Sequence, residues 1–450
     1  AQTAQLVDAR ILLSPETATN AIGTTETYTA KVQTNDGSGW STVSDNGIRI
    51  NFSLTSNNSP STAAFFNGAT NLGQGTAGDD GLQTGDVSCT TTAGSCTVTI
   101  NDTAIDTVDV HANSNGFKVS GIQGSFTRST GNPATSTCDP NANATGDGTC
   151  DAVKQYDDAR ILITPEEKTN AAGTDHTVTA TLQYSANNTT WLNPGAGKTI
   201  SFTITPANPN IAFNGGLSSC TTLASGSCSV TVHQVVPQAE TIGIRAASDF
   251  GVTGIGGTFS VATTASGTGS TCDPNASGTT GNGTCDAIKH YIVGRVILTP
   301  ENATNIVGNP HMFTATLQTS ADGTSWTTIS DDNQEIDFSF VGATSAHFVP
   351  NTVAGSKCTT SGGTGGCSVN INDDTAETVL VHAASTFSVA GVGGTFTVGT
   401  QSTAGPTGCT PDPGLNTGVC DGIKIYLKPT TTEHVTDTMV GLPNDATGSV

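Results

Sequence analysis

Three copies of one long motif constrain the fold of this chain more than any other feature. The segment ARILLSPETATNAIGTTETYTA begins at Ala9 and recurs as ARILITPEEKTNAAGTDHTVTA from Ala159 and as GRVILTPENATNIVGNPHMFTA from Gly294. A spacing of about 135–150 residues is much longer than a solenoid repeat, so each copy is predicted to be a domain with its own core. Three domains also suit a length of 450 residues, which exceeds what one hydrophobic core usually supports.

Apolar and polar residues alternate inside each copy, which is the pattern of strands with one buried face. The alternating residues are Ile48, Ile50, Phe52 and Leu54, then Ile200, Phe202 and Ile204, then Ile336, Phe338 and Phe340. Short strands of this kind, separated by turns rich in Gly, Asn, Asp and Ser, predict an antiparallel β-sandwich in each copy. Trp40, Trp191 and Trp326 occupy the same place in the three copies, and we predict that they lie in the core or between the sheets.

The twelve cysteines fall into six close pairs, which predict six local disulfides. The pairs are Cys89/Cys96, Cys138/Cys150, Cys220/Cys228, Cys272/Cys285, Cys358/Cys367 and Cys409/Cys420. A zinc site would need short Cys-x-x-Cys knuckles or interleaved histidines, and the chain has neither. Disulfides persist in oxidising compartments, so we expect a secreted, extracellular protein. The first residues, AQTAQ, would fit a mature product cut after a small-residue site.

The charge of the chain excludes several partners. A net charge of −22 would repel nucleic-acid phosphates and anionic membrane surfaces. No segment approaches the roughly 18 continuous apolar residues of a membrane span. We therefore expect neither a nucleic-acid partner nor a transmembrane segment.

The repeated motif resembles the bacterial Ig-like domains of invasin- and intimin-type adhesins. The matching features in SPETATNAIGTTETYTAKV and its later copies are the Pro, the Asn that follows it, the next Gly and the TxTA strand. The resemblance covers most of each copy and implies an all-β chain of three tandem Ig-like antiparallel β-sandwich domains joined by disulfide-closed loops. It further implies stalk, spacer or adhesive modules of a surface protein, without catalysis. The disulfides depart from the pattern of the family.

A cysteine-closed loop rich in Gly, Asn and Asp ends each copy, and we interpret it as a spacer that fixes the angle between neighbouring domains. The predicted Ig-like domains are residues 1–130, 157–264 and 292–401, with junctions at 131–156 and 265–291 and a junction plus C-terminal tail at 402–450.

The first of these loops has the oxygen-rich spacing of a calcium site. The candidate ligands are Asp139, Asn141, Asn143, Asp147 and Asp151. The later loops carry fewer carboxylates, and a polar turn without a metal is the alternative interpretation.

The C-terminal tail is β-prone and could add a strand to another copy of the chain. The residues predicted to do so are Thr430, Thr432, His434, Val435, Met439 and Val440. Head-to-tail addition that does not close into a ring gives a filament, so we predict an extracellular structural subunit of a cell-surface filament whose partners are copies of itself. A frayed polar terminus is the alternative for the tail.

No motif in the sequence predicts an enzyme. The eight histidines are scattered and none recurs in all three copies, and no nucleophile elbow, His-Glu-x-x-His helix or phosphate loop is present. The alternative function is a monomeric stalk or binding module of a secreted adhesin that recognises a host or carbohydrate ligand. Scarce aromatic residues, at 5% of the chain, weigh against that alternative.

Overall fold

The chain is all-β in the computed structural model, as the sequence predicts. The structure describes residues 6–75, 87–132, 135–142, 146–267, 270–350, 355–402, 409, 411–412 and 417–429. Apart from one turn of 3-10 helix, Asn214–Gly216, the regular elements of these residues are β-strands.

The copies that begin at Ala9, Ala159 and Gly294 are called repeats 1, 2 and 3. The strands of repeat 1 are β1 (Asp8–Ser14), β2 (Thr17–Ala21), β3 (Glu26–Asn35), β4 (Trp40–Thr42), β5 (Arg49–Ser56), β6 (Ala64–Asn67), β7 (Thr70–Gly73), β8 (Val87–Thr90), β9 (Ser95–Asn101), β10 (Asp106–Phe117), β11 (Phe126–Ser129) and β12 (Ala152–Thr164). Then follow β13 (Glu167–Ala171), β14 (His176–Ser185), β15 (Thr199–Thr205), β16 (Ile211–Phe213), β17 (Ser219–Thr221), β18 (Ser227–Gln234), β19 (Glu240–Phe250), β20 (Phe259–Ala262) and β21 (Ala287–Thr299). The last strands are β22 (Asn302–Ile306), β23 (His311–Ser320), β24 (Thr327–Thr328), β25 (Glu335–Phe340), β26 (His347–Val349), β27 (Gly355–Thr359), β28 (Gly366–Asn372), β29 (Thr378–Phe387), β30 (Phe396–Gly399), β31 (Pro411–Asp412), β32 (Thr417–Gly418) and β33 (Gly422–Leu427).

The chain divides into two compact units. Unit 1 comprises Ala1–Lys168, Asp175–Val235 and Thr241–Lys289, and unit 2 comprises Thr169–Thr174, Val236–Glu240 and His290–Val450. The three-domain boundaries given by the sequence stay a prediction.

Repeat 1, in unit 1, is a two-sheet antiparallel sandwich of the Ig-like type. One sheet has the order β1-β3-β9-β6-β7, and the second contains β12-β10-β5-β8 with β2 on the other edge of β12. The Ser14–Glu16 segment carries the chain from the first sheet into the second. Inward side chains of both sheets form one core, as alternation predicts, with Ile11, Val32, Ile50, Phe52, Val108, Val110 and Tyr156 among its members.

Strand β12 belongs to two repeats. Its first part, Ala152–Tyr156, pairs antiparallel with β10 of repeat 1, while Asp158–Thr164 pairs antiparallel with β14 of repeat 2. Only Asp157 separates the two pairings, so repeat 1 passes into repeat 2 without a linker.

Repeat 3, in unit 2, has the same design. One sheet has the order β22-β33-β29-β25-β27, with β30 also on β29. In the facing sheet, β23 pairs with β21 and β28, and β28 pairs with β26. The core between them includes Leu298, Phe313, Ile336, Phe338, Phe348, Ile371 and Tyr426.

The prediction that the tryptophans lie in the core or between the sheets is wrong. Trp40 is 37% exposed. In each repeat an arginine of the first strand covers the indole, with the guanidinium 4.2 Å from the ring of Trp40, 4.0 Å from that of Trp191 and 4.2 Å from that of Trp326. The arginines are Arg10, Arg160 and Arg295. The indoles therefore make cation–π stacks at the surface, where their edges also stay in contact with water.

Tyr156 and Tyr426 occupy equivalent buried positions in repeats 1 and 3 but differ in hydrogen bonding. Tyr426 Oη donates to the carbonyl of Ile371 at 3.1 Å, whereas Tyr156 Oη has no hydrogen-bond partner in the part of the chain that the structure describes. Because an unpaired buried hydroxyl is costly, Tyr156→Phe should raise the free energy of unfolding by about 1 kcal/mol and Tyr426→Phe should lower it by about 1 kcal/mol. Chemical denaturation measures both, and shifts of the same sign would contradict this account.

Candidate assembly interface

The cysteine-closed loops lie within the repeats, as insertions in the last strand. In repeat 1, β11 pairs with one end of β10 and the start of β12 pairs with the other end. Between them the chain leaves at Gly131 and returns at Cys150, and these two residues bridge each other. The same bridge joins Thr264 to Cys285 in repeat 2 and Gln401 to Cys420 in repeat 3. Each loop lies against its own repeat, and we call the loops closed by Cys138–Cys150, Cys272–Cys285 and Cys409–Cys420 the lids of repeats 1, 2 and 3. The spacer function of these segments stays a prediction.

All twelve cysteines form disulfides in the predicted pairs. Cys89–Cys96 connects β8 to β9 and thereby links the two sheets of repeat 1, as Cys220–Cys228 and Cys358–Cys367 do in the later repeats. The other three bonds close the loops, with Cα–Cα distances of 5.0, 5.0 and 5.2 Å. Each repeat thus has one disulfide that links its two sheets and one that closes its lid.

Each lid covers the free edge of the first strand. Leu13 and Gly148 exchange two backbone hydrogen bonds of 2.9 and 3.1 Å, and Ile163 and Gly283 make the same antiparallel bridge in repeat 2. Leu298 pairs with Gly418 in repeat 3. The lid therefore protects a strand edge that could otherwise pair with a foreign chain.

A buried glutamate binds each lid through the backbone amide of the second lid cysteine. The Cys285 amide donates to Glu166 Oε1 at 2.9 Å, and the Cys420 amide donates to Glu301 Oε1 at 3.1 Å. Burial raises the pKa of Glu166 to about 7. Burial, with smaller contributions from the carboxylates of Asp151, Asp139 and Asp147, raises the pKa of Glu16 to about 8. Glu16 and Glu166 thus favour the neutral form in the folded protein.

A second buried carboxylate holds the end of each lid. Asp151 accepts from Thr130 Oγ1 at 2.5 Å and contacts His111 Nδ1 at 2.8 Å. Repeat 3 has the same arrangement of Asp421, Thr400 and His382, and in repeat 2 Arg245 replaces the histidine beside Asp286. The sequence analysis missed these clusters because their members are far apart in the chain.

The predicted calcium ligands have other partners in the structure. Asp147 forms a 2.5 Å ion pair with Lys31, Asp151 binds Thr130 and His111, and Asp139 accepts from the Asn141 amide at 2.9 Å. Asn143 lies outside the described residues. Within those residues no group of three or more His, Cys, Asp or Glu side chains could hold a metal ion. The calcium site stays a prediction.

The lysine of each repeat's last strand is fully buried. Lys154 Nζ donates to Glu26 at 3.1 Å and lies 5.1 Å from the Tyr156 ring. His176 and His311 take the place of Glu26 in the later repeats, so their lysines lack this carboxylate. Burial lowers the pKa of Lys289 to about 7 and that of Lys424 to about 8, and it lowers the pKa of His176 to about 4. Burial therefore disfavours the charged form of all three groups, and His176 is neutral at physiological pH.

Repeats 1 and 2 meet through a backbone contact within unit 1. The outer edge of β2 pairs with the β19–β20 loop, residues 251–258. The Ala21 amide donates to Gly256 O at 2.9 Å, and the Gly256 amide donates to Thr19 O at 2.7 Å. A Cβ on Gly256 would lie 2.4 Å from Asn20 Oδ1, so glycine permits this close approach.

The same contact recurs in unit 2. The Ala171 amide donates to Gly393 O at 2.8 Å, and the Gly393 amide donates to Thr169 O at 2.9 Å. A Cβ on Gly393 would lie 2.7 Å from Asn170 Oδ1. We call this pairing of an edge strand with the glycine loop of the next repeat the edge–loop contact.

The structure adds this contact to the sites that the sequence predicts. The signal for this contact in the sequence is the recurrence of GIGG at Gly254 and GVGG at Gly391. The predicted polymerisation residues, Thr430 to Val440, lie outside the described residues. Within the described residues no helix is long and apolar enough to cross a membrane.

No protein-family model matches the chain, and none of the curated proteins matches it. Among solved structures, it is similar to the D0–D1 domains of intimin, with 15% identity over 54% of this chain and 94% of that chain and a TM-score of 0.16. It is also similar to the adhesin InvE of Yersinia pseudotuberculosis, with 12% identity over 57% of this chain and 58% of that chain and a TM-score of 0.18. It is similar as well to invasin, a bacterial integrin-binding protein, with 12% identity over 84% of this chain and 56% of that chain and a TM-score of 0.25.

These matches return the invasin and intimin type of Ig-like domain that the repeated motif resembles.

The raised pKa values of Glu16 and Glu166 predict a pH-dependent stability. The folded protein keeps these groups protonated where the unfolded chain, with a glutamate pKa of 4.5, ionises them. Their contribution to stability is complete below that value and is lost as the pH rises toward about 7–8. The double variant Glu16→Gln/Glu166→Gln should therefore lose less thermal stability than the wild type between about pH 5 and about pH 7.

Calorimetry at the two pH values measures this difference. Asp249→Asn, which changes an exposed carboxylate, serves as the control and should behave as the wild type does. An unchanged pH dependence in the double variant would contradict the buried-glutamate account.

Proposed function

We propose that this chain is an extracellular structural protein, the repeating subunit of a cell-surface filament that assembles head to tail. The observation that carries the proposal is the edge–loop contact, which occurs once in each unit and requires only backbone groups and glycines. A contact that joins successive repeats within one chain is also suited to joining successive chains.

The joint between repeats 1 and 2 supports a structural function. Strand β12 passes from one repeat to the next with a single residue between its two pairings. The edge–loop contact fixes a second point of the same joint, and Gln155 Nε2 adds a hydrogen bond of 3.3 Å to the Ala186 carbonyl. Several fixed points at one joint resist bending better than a flexible linker does.

The disulfides support the extracellular location. Six bonds of two structural kinds stabilise the small repeats of a chain with 12% charged and 5% aromatic residues, and such bonds persist outside the reducing cytosol. Asp151, Asp286 and Asp421 each accept a hydrogen bond from a threonine of the same repeat, which favours a structural role for these clusters over a catalytic one.

The C-terminal tail is proposed to strengthen assembly by adding a strand to the neighbouring copy. Electron microscopy of the intact chain should show filaments, and a version ending at Lys428, which retains β33, should show shorter or no filaments. A version with the sequence of residues 430–440 scrambled is the control for length alone and should behave as the truncated protein does.

The outcomes separate the two parts of the proposal. Filaments of equal length in all three samples would remove the tail from the mechanism. Monomers at every concentration of the intact chain would contradict the filament and favour the stalk of an adhesin.

A further inference from the structure

The outer edge of β22 in repeat 3 is the counterpart of two edges that are covered elsewhere in the chain. In repeats 1 and 2 the edge–loop contact buries the last residue of this strand, leaving Ala21 0% and Ala171 1% exposed. Ile306 holds the same position in repeat 3 and is 48% exposed. No described residue pairs with the outer edge of β22, whose inner edge pairs in parallel with β33.

Apolar side chains beside this edge also face solvent. Leu427, the register partner of Ile306, is 51% exposed, and Ile425 on the same strand is 36% exposed. Asp157 occupies the position of Leu427 in repeat 1 and is buried. An unpaired strand edge beside exposed apolar residues is a site for strand addition.

Repeat 1 carries the complementary element. Its loop of residues 119–125 has the same internal turn as the two loops that dock, because Ile122 N donates to Val119 O at 3.1 Å just as Ile255 N donates to Val252 O at 3.0 Å. Gly124 has φ +96°, and nothing lies within 4 Å of the position of its Cβ. Gly257, its counterpart in repeat 2, would place a Cβ 2.5 Å from Thr24 Cγ2. The loop of repeat 1 thus has the conformation of a docked loop but is exposed.

We propose that the loop 119–125 of one copy docks on β22 of the next copy by an intermolecular edge–loop contact. By the register of the internal contacts, the Ile306 amide donates to the Gln123 carbonyl and the Gln123 amide donates to the Thr304 carbonyl. The inference rests on the proposed filament and identifies its interface. The two surfaces differ and lie on different repeats, so the contact is heterologous, and a heterologous contact that does not close into a ring gives a filament.

The intermolecular contact differs from the internal ones at one position. Gln123 stands where the internal loops have glycine, and its Cβ requires the Asn305 side-chain amide to move. Asn305 is half-buried, and Nδ2 makes hydrogen bonds of 3.4 and 3.2 Å to the carbonyls of Asn309 and Pro310. The intermolecular contact is accordingly weaker than the internal ones, as suits a joint that forms after the chain has folded.

Two proline variants test the backbone bonds. Ile306→Pro removes the outward amide of β22, and Gln123→Pro removes the amide of the loop. Each should raise the critical concentration for filament formation by about tenfold or more, measured by light scattering and electron microscopy. Leu217→Ala is the control, because Leu217 is 67% exposed and lies in repeat 2 outside the contact. It should leave the critical concentration unchanged.

Three further variants keep the test decisive. Ile306→Lys retains the amide but places a charge in the contact, so it should weaken assembly even where a proline variant unfolds. Gln123→Gly restores the residue of the internal loops and should lower the critical concentration. A mixture of one protein carrying Gln123→Cys and another carrying Asn305→Cys should form an intermolecular disulfide, since the native cysteines are all paired.

The results distinguish the interface from the filament. Wild-type filaments that persist unchanged in all the variants, with no disulfide in the mixture, would overturn this interface while leaving the proposed function in place. A wild-type chain that forms no filaments at any concentration would overturn both.

Discussion

The organisation of this chain depends on the short strand that follows the Pro-Glu motif of each repeat. Its inner edge pairs in parallel with the last strand of its own repeat, as Thr17–Ala21 does with Val153–Asp157. Its outer edge accepts the glycine loop of the following repeat. One strand of five residues therefore closes a sandwich and begins the joint to the next. Because both sets of bonds are between backbone groups, the contact tolerates the sequence differences among the repeats.

Buried polar groups hold the rest of each repeat around this strand. In repeat 2, for example, Glu166 accepts a hydrogen bond from the amide of Cys285, the second cysteine of the lid. Asp286, the residue after this cysteine, accepts a hydrogen bond from the Thr263 hydroxyl. Three of the disulfides close the lids covalently at the same places. The repeats differ beside the lysine of the last strand, where Glu26 is replaced by His176 and His311. Repeat 1 therefore buries an amine that is paired with a carboxylate, whereas repeats 2 and 3 bury an amine without that partner.

Local sequence patterns were sufficient to predict the all-β fold, because alternation at Ile50 and Phe52 and the turn residues report on half-buried strands. Close cysteine pairs also predicted the disulfides that the structure contains. The position of Trp40 could not be predicted, because an indole after a turn can stack on an arginine as well as enter a core. The lids were placed between domains because nothing local shows that Gly131 and Cys150 bridge each other across an insertion. Gly256 resembles any turn glycine in the sequence, and its function depends on the approach of Asn20 from another repeat.

The central claim is that the edge–loop contact joins successive repeats, and hydrogen exchange at the Ala21 amide tests it most directly. Gly256→Val places a side chain against Asn20, so exchange at Ala21 should accelerate by at least about tenfold as this bond opens. Gly251→Ala is the control, because its Cβ would meet nothing nearer than 3.8 Å and exchange at Ala21 should stay as slow as in the wild type. Slow exchange at Ala21 in the Gly256→Val protein, with its fold intact, would contradict the claim that this contact holds the repeats together.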